Sequence, residues 1–149
     1  MKVIVLAGGY DQIALIEEFR RKNYETILVD YYKNPPARKY ADRHYQISTL
    51  DIEAVKKIAI KEKADLITTA CTDQALLSVA QISRELDLPC YISYYQALNV
   101  TNKMYMKREM SKAGIPTAKH IVVSDINEVD LSSLEFPIVV KPSDCNSSK

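Results

Sequence analysis

Cysteine and histidine are scarce, with three of the one and two of the other among 149 residues. Cys71, Cys90 and Cys145 are odd in number and far apart, and neither His44 nor His120 lies near any of them in sequence. That pattern fits neither a disulfide framework nor a zinc-binding spacing. A structural metal is therefore not expected, and a reducing cytoplasm is the plain reading. An excess of charge of one sign is missing too. Lys and Arg total 20 against 19 for Asp and Glu, a net charge of +1, which gives no reason to propose nucleic acid or an anionic membrane as a partner. No window approaches the roughly 18 apolar residues of a membrane span. The apolar start, residues 3–7, is too short for a signal peptide and runs straight into Gly8 and Gly9. The remainder, 47% hydrophobic and 26% charged, has the composition of a soluble globular protein. Its length gives room for one ordinary domain and hardly for two complete ones.

Along the chain, short apolar runs alternate with amphipathic segments. Residues 3–6 form a continuous β-branched and leucine run, as expected for a strand covered on both faces. After Gly8-Gly9, Asp11 is placed to cap a helix ending near Asn23, whose apolar stripe is Ile13, Leu15, Ile16 and Phe19. Residues 26–29 read as a second strand closed by Asp30. A polar connection containing Pro35-Pro36 follows, then a short strand at 45–47. Ser48 with Asp51 resembles a capping box before a helix carried by Ile52, Val55, Ile58 and Ala59. Residues 66–69 are another strand, and Leu76, Val79, Ala80 and Ile82 supply the buried side of a helix from about Asp73 to Leu86. A fifth short strand is expected at 90–92. This order implies a parallel, doubly wound, Rossmann-like α/β sheet with right-handed crossovers over residues 1–93.

Beyond Tyr94 the character changes. A short helix at 93–98 precedes a second one, capped by Thr101 and running to Ala113, with Gly114 as its left-handed terminator and Pro116 preventing continuation. Residues 119–123 and 137–140 read as two strands with a capped turn of helix, 124–129, between them. The last residues, 142–149, form a polar loop, an unusual place for a natural domain to stop, so the chain is expected to be cut short.

Ligands of doubly wound sheets sit beyond the carboxyl ends of the strands, where Gly8, Gly9, Asp30 and Asp73 all fall. A dinucleotide fingerprint needs three glycines spaced G-x-G-x-x-G. Here there are two adjacent ones and no third, so a tight strand-to-helix turn is the better reading than NAD binding, although free N–H groups at the helix start suit an anionic substrate. Asp73 follows Thr72, and an N-cap by itself suffices for that pair. Lys103 stands in the first turn of its helix, where the dipole disfavours a cation unless an anion is shared. In Phe136-Pro137-Ile138-Val139-Val140-Lys141-Pro142 a lysine closes an apolar strand, which is costly without an anion. The serine-rich loop after it, with Ser147, Ser148 and Lys149, suits a phosphate chain. An ordinary strand end with a snorkelling lysine explains the same residues equally well.

Together these pieces resemble the ATP-grasp superfamily, nearest its carbamoyl-phosphate-synthase-like and carboxylate–amine ligase branches. The matching residues are 1–9 with Asp11-Gln12, then Thr101-Asn102-Lys103, Ala113-Gly114-Ile115-Pro116, and 136–142 with the serine-rich loop. The resemblance implies a pre-ATP-grasp domain at 1–93, followed at 94–149 by linker helices and the truncated beginning of an α+β ATP-binding subdomain. It implies that Lys103 and Lys141 match the two lysines contacting ATP phosphates, and that residues 143–149 match the phosphate-covering loop. That loop is usually glycine-rich, whereas this one has no glycine and relies on Asn146 and serines. Enzymes of this kind activate a carboxylate or bicarbonate as an acyl phosphate for attack by an amine, with Mg²⁺ balancing charge. The metal ligands are expected outside this chain, and the chain alone is expected to be inactive. The partner implied is a small-molecule substrate, with no nucleic acid and no membrane; a homodimer is left open, as related domains often dimerise. The alternative is a non-catalytic nucleotide or small-ligand binding module.

Overall fold

The structure, a computed structural model, describes residues 1–144. Four parallel strands, β1 (Lys2–Leu6), β2 (Glu25–Asp30), β3 (Arg43–Gln46) and β4 (Leu66–Thr68), lie in the order β3-β2-β1-β4. The first strand is central, with Ile4 beside both Ile27 and Ile67. Helix α1 (Asp11–Arg21) connects β1 to β2, and α2 (Ile52–Glu62) connects β3 to β4. Two further helices, α3 (Asp73–Glu85) and α4 (Tyr94–Thr101), pack on each other, and α5 (Lys103–Lys112) packs on α4.

Alternation along the strands divides the core between two faces. Ile4, Leu6, Ile27, Val29 and Ile67 pack with Val55 and Ile58 of α2 and with Val79 and Ile82 of α3. On the other face Val3, Val5 and Leu28 meet Ile16 of α1 and Ala37 of a 3₁₀ turn, Pro36–Tyr40. Each such aliphatic side chain contributes about 1.5–3 kcal/mol by leaving water. Because both faces are covered, residues 3–6 of β1 can be continuously apolar, as the sequence suggested.

At the amino end of the sheet a charged cluster closes the core. Glu62, only 4% exposed, pairs with Arg43 Nη1 at 2.6 Å and Lys2 Nζ at 3.7 Å and accepts from the Tyr45 hydroxyl. Arg43 also reaches Glu25 at 2.8 Å. The Tyr45 hydrogen bond, above all, holds the Glu62 carboxyl below its ordinary value, with Arg43 and Lys2 adding to it against the opposing effect of burial.

Several local expectations are corrected. Residues 90–92 form no fifth strand: Pro89 removes a donor, and the chain bends there into α4, leaving Tyr91 exposed. The strands expected at 119–123 and 137–140 are not formed among the described residues. A strand needs a neighbour for its N–H and C=O groups, and no described segment pairs with either. Valines 139 and 140 are consequently exposed, Val140 at 88%. The capped turn between them shrinks to a 3₁₀ turn, Ile126–Glu128, whose cap is Asp125. Asn102 rather than Thr101 caps α5, its side chain accepting from the N–H groups of Met104 and Tyr105. For α2 the capping oxygen is that of Asp51, while Ser48 accepts only from Leu50 N. Asp11 is the first residue of α1 and not its cap. Gly114 does end α5 in the left-handed region, with φ +66°.

Candidate functional site

Three loops meet at the carboxyl edge, following β1, β2 and β4. Asp30 organises the first two from inside. Its Oδ2 accepts from Gly8 N at 2.7 Å and its Oδ1 from Tyr32 N at 2.6 Å, leaving the side chain buried. Gly8 is buried as well, because a Cβ there would stand 2.6 Å from Cβ of Pro35. Its carbonyl accepts from Ala37 N at 2.9 Å, fastening the 3₁₀ turn. Gly9 has nothing within 4 Å of a Cβ position and faces solvent. The two glycines thus do different work, one permitting close packing and the other leaving backbone accessible.

Gln12 entered the sequence reading only within the family resemblance and was given no role of its own. It is 1% exposed, accepts from Ala70 N at 3.0 Å, and returns a hydrogen bond from Nε2 to the Ala70 carbonyl. One buried amide therefore zips the loop after β4 onto the turn after β1. Thr69 adds a second tie, its hydroxyl donating to the Leu6 carbonyl at 2.8 Å. The available signal was a polar residue at a helix position that should face the core. Backbone strain falls at the same place: Ala7 (φ 71°) and Cys71 (φ 52°) both adopt the left-handed region, each costing of order 1–3 kcal/mol outside a helix end.

The helix starts differ in a way that marks this edge. Asp51, Ser93 and Asn102 each accept a hydrogen bond from the first turns of α2, α4 and α5. Neither Tyr10 at the head of α1 nor Thr72 at the head of α3 makes a side-chain cap bond. At α1 the N–H groups of Gln12 and Ile13 turn back to the Gly9 and Tyr10 carbonyls. What the edge presents beside the junction of β1 and β4 is therefore the positive ends of two helix dipoles with no side-chain cap on either. Asp73, exposed in the first turn of α3, shares this edge.

The later elements approach the same region. Ser143 O accepts from the backbone N–H of Lys103 at 2.7 Å, and Asp144 O accepts from Gln74 Nε2 at 3.2 Å. The chain after Lys141 thereby crosses the heads of both α5 and α3. The half-buried Lys103 stands in the first turn of α5, whereas Lys141 is exposed and on no strand, so the desolvation expected for it is not met. With Asn102 and Ser143 occupying the N–H groups of α5, an anion at that helix would be held by the lysine ammonium and not by backbone. Ser147, Ser148 and Lys149 lie outside the described residues. Among the described residues no group of three or more His, Cys, Asp or Glu side chains could hold a metal. No helix there is long and apolar enough to cross a membrane.

The fold is of the doubly wound α/β class, and comparison with known proteins narrows that class. No family model matches the chain. A formate-dependent phosphoribosylglycinamide formyltransferase from Proteus mirabilis is 31% identical over 158 residues, covering 99% of the chain and 38% of that protein. The L-amino acid ligase from Bacillus licheniformis superposes with a TM-score of 0.76 at 19% identity, over 97% of this chain and 37% of that one. An ADP complex of N5-carboxyaminoimidazole ribonucleotide synthetase gives 0.74 at 20% identity, over 91% and 36%. These relatives are ATP-grasp carboxylate–amine ligases, and the chain is homologous to their N-terminal part. It spans 36–38% of the length of the curated relatives it matches first.

Proposed function

We propose that this chain is the leading part of an ATP-dependent ligase, in which a carboxylate or bicarbonate is activated as an acyl phosphate and then attacked by an amine. The observation that carries this reading is the match of nearly the whole chain to the front of such ligases. Chemistry supports it. Formate and amino acids, which appear in the names of a relative and a structural neighbour, are both carboxylic acids. A further neighbour was solved as an ADP complex. Lys103 and Lys141 neutralise nucleotide phosphates in this reading, and Ser147, Ser148 and Lys149 cover them. The carboxyl edge takes the substrate side. There the exposed turn at Gly9 and the starts of α1 and α3, without side-chain caps, present positive helix ends, and Asp73 offers an acceptor. Gly8 and Asp30 hold that edge in shape from beneath.

The Mg²⁺ ligands lie outside this chain in this reading, and no step here runs through the metal. On this reading residues 1–93 act as the pre-ATP-grasp domain and 94–149 as the start of the nucleotide-binding part, in a cytoplasmic, carbamoyl-phosphate-synthase-like enzyme. The test is made in the natural full-length protein. Lys141→Met and Lys103→Met should each weaken ATP binding about tenfold by calorimetry, as expected for losing a charge-assisted phosphate contact; unchanged affinity removes the assignment. The chain alone should show no ATP turnover with added Mg²⁺, and robust hydrolysis would overturn that part of the proposal.

A further inference from the structure

Helix α1 and the 3₁₀ turn Pro36–Tyr40 pack through Ile16 and Ala37 but leave an open cleft beside Tyr10. Its volume is about 500 Å³, within the range of small-molecule sites. Tyr10, Ile13, Pro36 and Tyr40 line it with apolar surface, together with the cations Arg38 and Lys39. None of the lining residues is acidic. Tyr10 is 79% exposed, a large aromatic surface for a residue that neither caps α1 nor packs in the core.

The two cations are held in place without being neutralised. Arg38 Nη1 donates to the Lys33 carbonyl at 2.9 Å and to Asn34 Oδ1. Among the described residues neither cation has an acidic partner within salt-bridge distance. The Lys39 ammonium stands 5.0 Å from the centroid of the Tyr40 ring, which orients it without removing its charge. The field of Arg38 is felt locally: after burial, it is the next cause that keeps His44 below its ordinary pKa. A fixed guanidinium with free N–H donors, next to an ammonium and flat apolar walls, is the arrangement that takes a planar anion.

We propose that this cleft binds a compact organic anion, a phosphate or carboxylate carried on a flat apolar body, with Arg38 and Lys39 holding the charge and Tyr10, Tyr40 and Ile13 holding the body. Tyr10 and Ile13 belong to the start of α1, which the ligase reading places at the substrate edge. Arg38, Lys39 and Tyr40 are assigned to neither nucleotide phosphates nor substrate, so variants at 38 and 39 test the cleft apart from that reading. Asp11, exposed at the next position of α1, is the nearest acid in sequence and sets a limit on affinity that salt screens.

The test is a titration of the ¹⁵N-labelled chain with phenyl phosphate, benzoate and inorganic phosphate in turn, followed by amide shifts. Saturable shifts should gather at Tyr10, Ile13, Asn34 and residues 38–40. The double variant R38Q/K39Q should weaken phenyl phosphate about tenfold or more, as loss of charge-assisted contacts requires. Tyr10→Ala should weaken phenyl phosphate while leaving inorganic phosphate little changed. Binding of phenyl phosphate alone points to a phosphorylated ligand, and binding of benzoate alone points to a carboxylate; either supports the site. Losing Arg38 also frees the 33–34 loop, so Lys39→Gln, whose side chain makes no hydrogen bond, repeats the test on an undisturbed fold with a smaller loss of about threefold. Shifts that do not saturate, that centre on Gly9 and Asp73, or that survive both variants overturn the proposal.

Discussion

At the amino end of the sheet, Glu62, Arg43, Lys2, Glu25 and Tyr45 satisfy one another in a closed network. At the carboxyl end of the same strands, two helices begin without a side-chain cap and two non-glycine residues sit at positive φ. Both ends see the same solvent and are joined by the same buried strands. The difference is that the amino end uses its polar groups for stability, while the carboxyl end leaves two helix starts without a side-chain cap and keeps its shape through ties from below: Asp30 on Gly8, Gln12 on Ala70, Thr69 on Leu6. A helix start without a side-chain cap keeps its positive dipole end available to an anion.

The contrast can be broken by substitution, starting with the largest effect. Gly8→Ala drives a methyl into Pro35 and toward Asp30 Oδ2 and should cost about 3 kcal/mol, the upper end for overpacking, read from urea unfolding. Retention of full stability would mean that the 31–35 loop yields and is not held by Gly8. Gln12→Leu leaves the buried N–H of Ala70 unpaired and should cost about 2 kcal/mol. It should also speed hydrogen exchange at residues 70–74 far more than at 52–62, where uniform exchange would refute a local clamp.

Glu62→Gln tests the other end. It should cost about 1–2 kcal/mol at neutral pH, discounted because Arg43 and Lys2 are partly exposed. The sign with pH follows from the depressed carboxyl. Its folded pKa lies below the ordinary 4.5, so its contribution is complete above that value and is lost as pH falls through the folded pKa. The wild type should therefore lose stability on acidification more steeply than the variant below about pH 4.5; parallel curves would deny the network its role. The smallest effect contrasts a capped with an uncapped helix start. Asn102→Ala should cost about 1 kcal/mol, whereas Tyr10→Ala, with no cap bond to lose, should stay within about 0.5 kcal/mol of wild type.

Much of this was legible in the sequence because it rests on local pattern. The continuous apolar run at residues 3–6 announced a strand buried on both faces, and 26–29 was read as a second strand. The stripes of α1 to α3 followed helical spacing, and Gly114 was read as a terminator because a left-handed residue there needs no side chain. The resemblance carried by 1–9 with Asp11-Gln12, 101–103, 113–116 and 136–142 was visible too, and the relatives found are carboxylate–amine ligases, one of the two branches it pointed to. The strand errors share one cause. Residues 90–92, 119–123 and 137–140 have strand-like composition, but a strand exists only where another backbone takes its hydrogen bonds, and composition does not supply that neighbour.

What the sequence by itself determined is therefore the class of fold: buried runs alternating with amphipathic helices have few solutions other than a parallel sheet covered on both sides. Which polar residues would be consumed inside and which left open was decided only by the tertiary structure. Asp30 and Asp73 read alike as acids at the sheet edge, yet one is buried between two backbone N–H groups and the other faces water. Gln12 gave almost no signal, because its partners lie 58 residues away along the chain. Long-range hydrogen bonds depend on where the backbone comes to rest, and that is fixed only when the core closes.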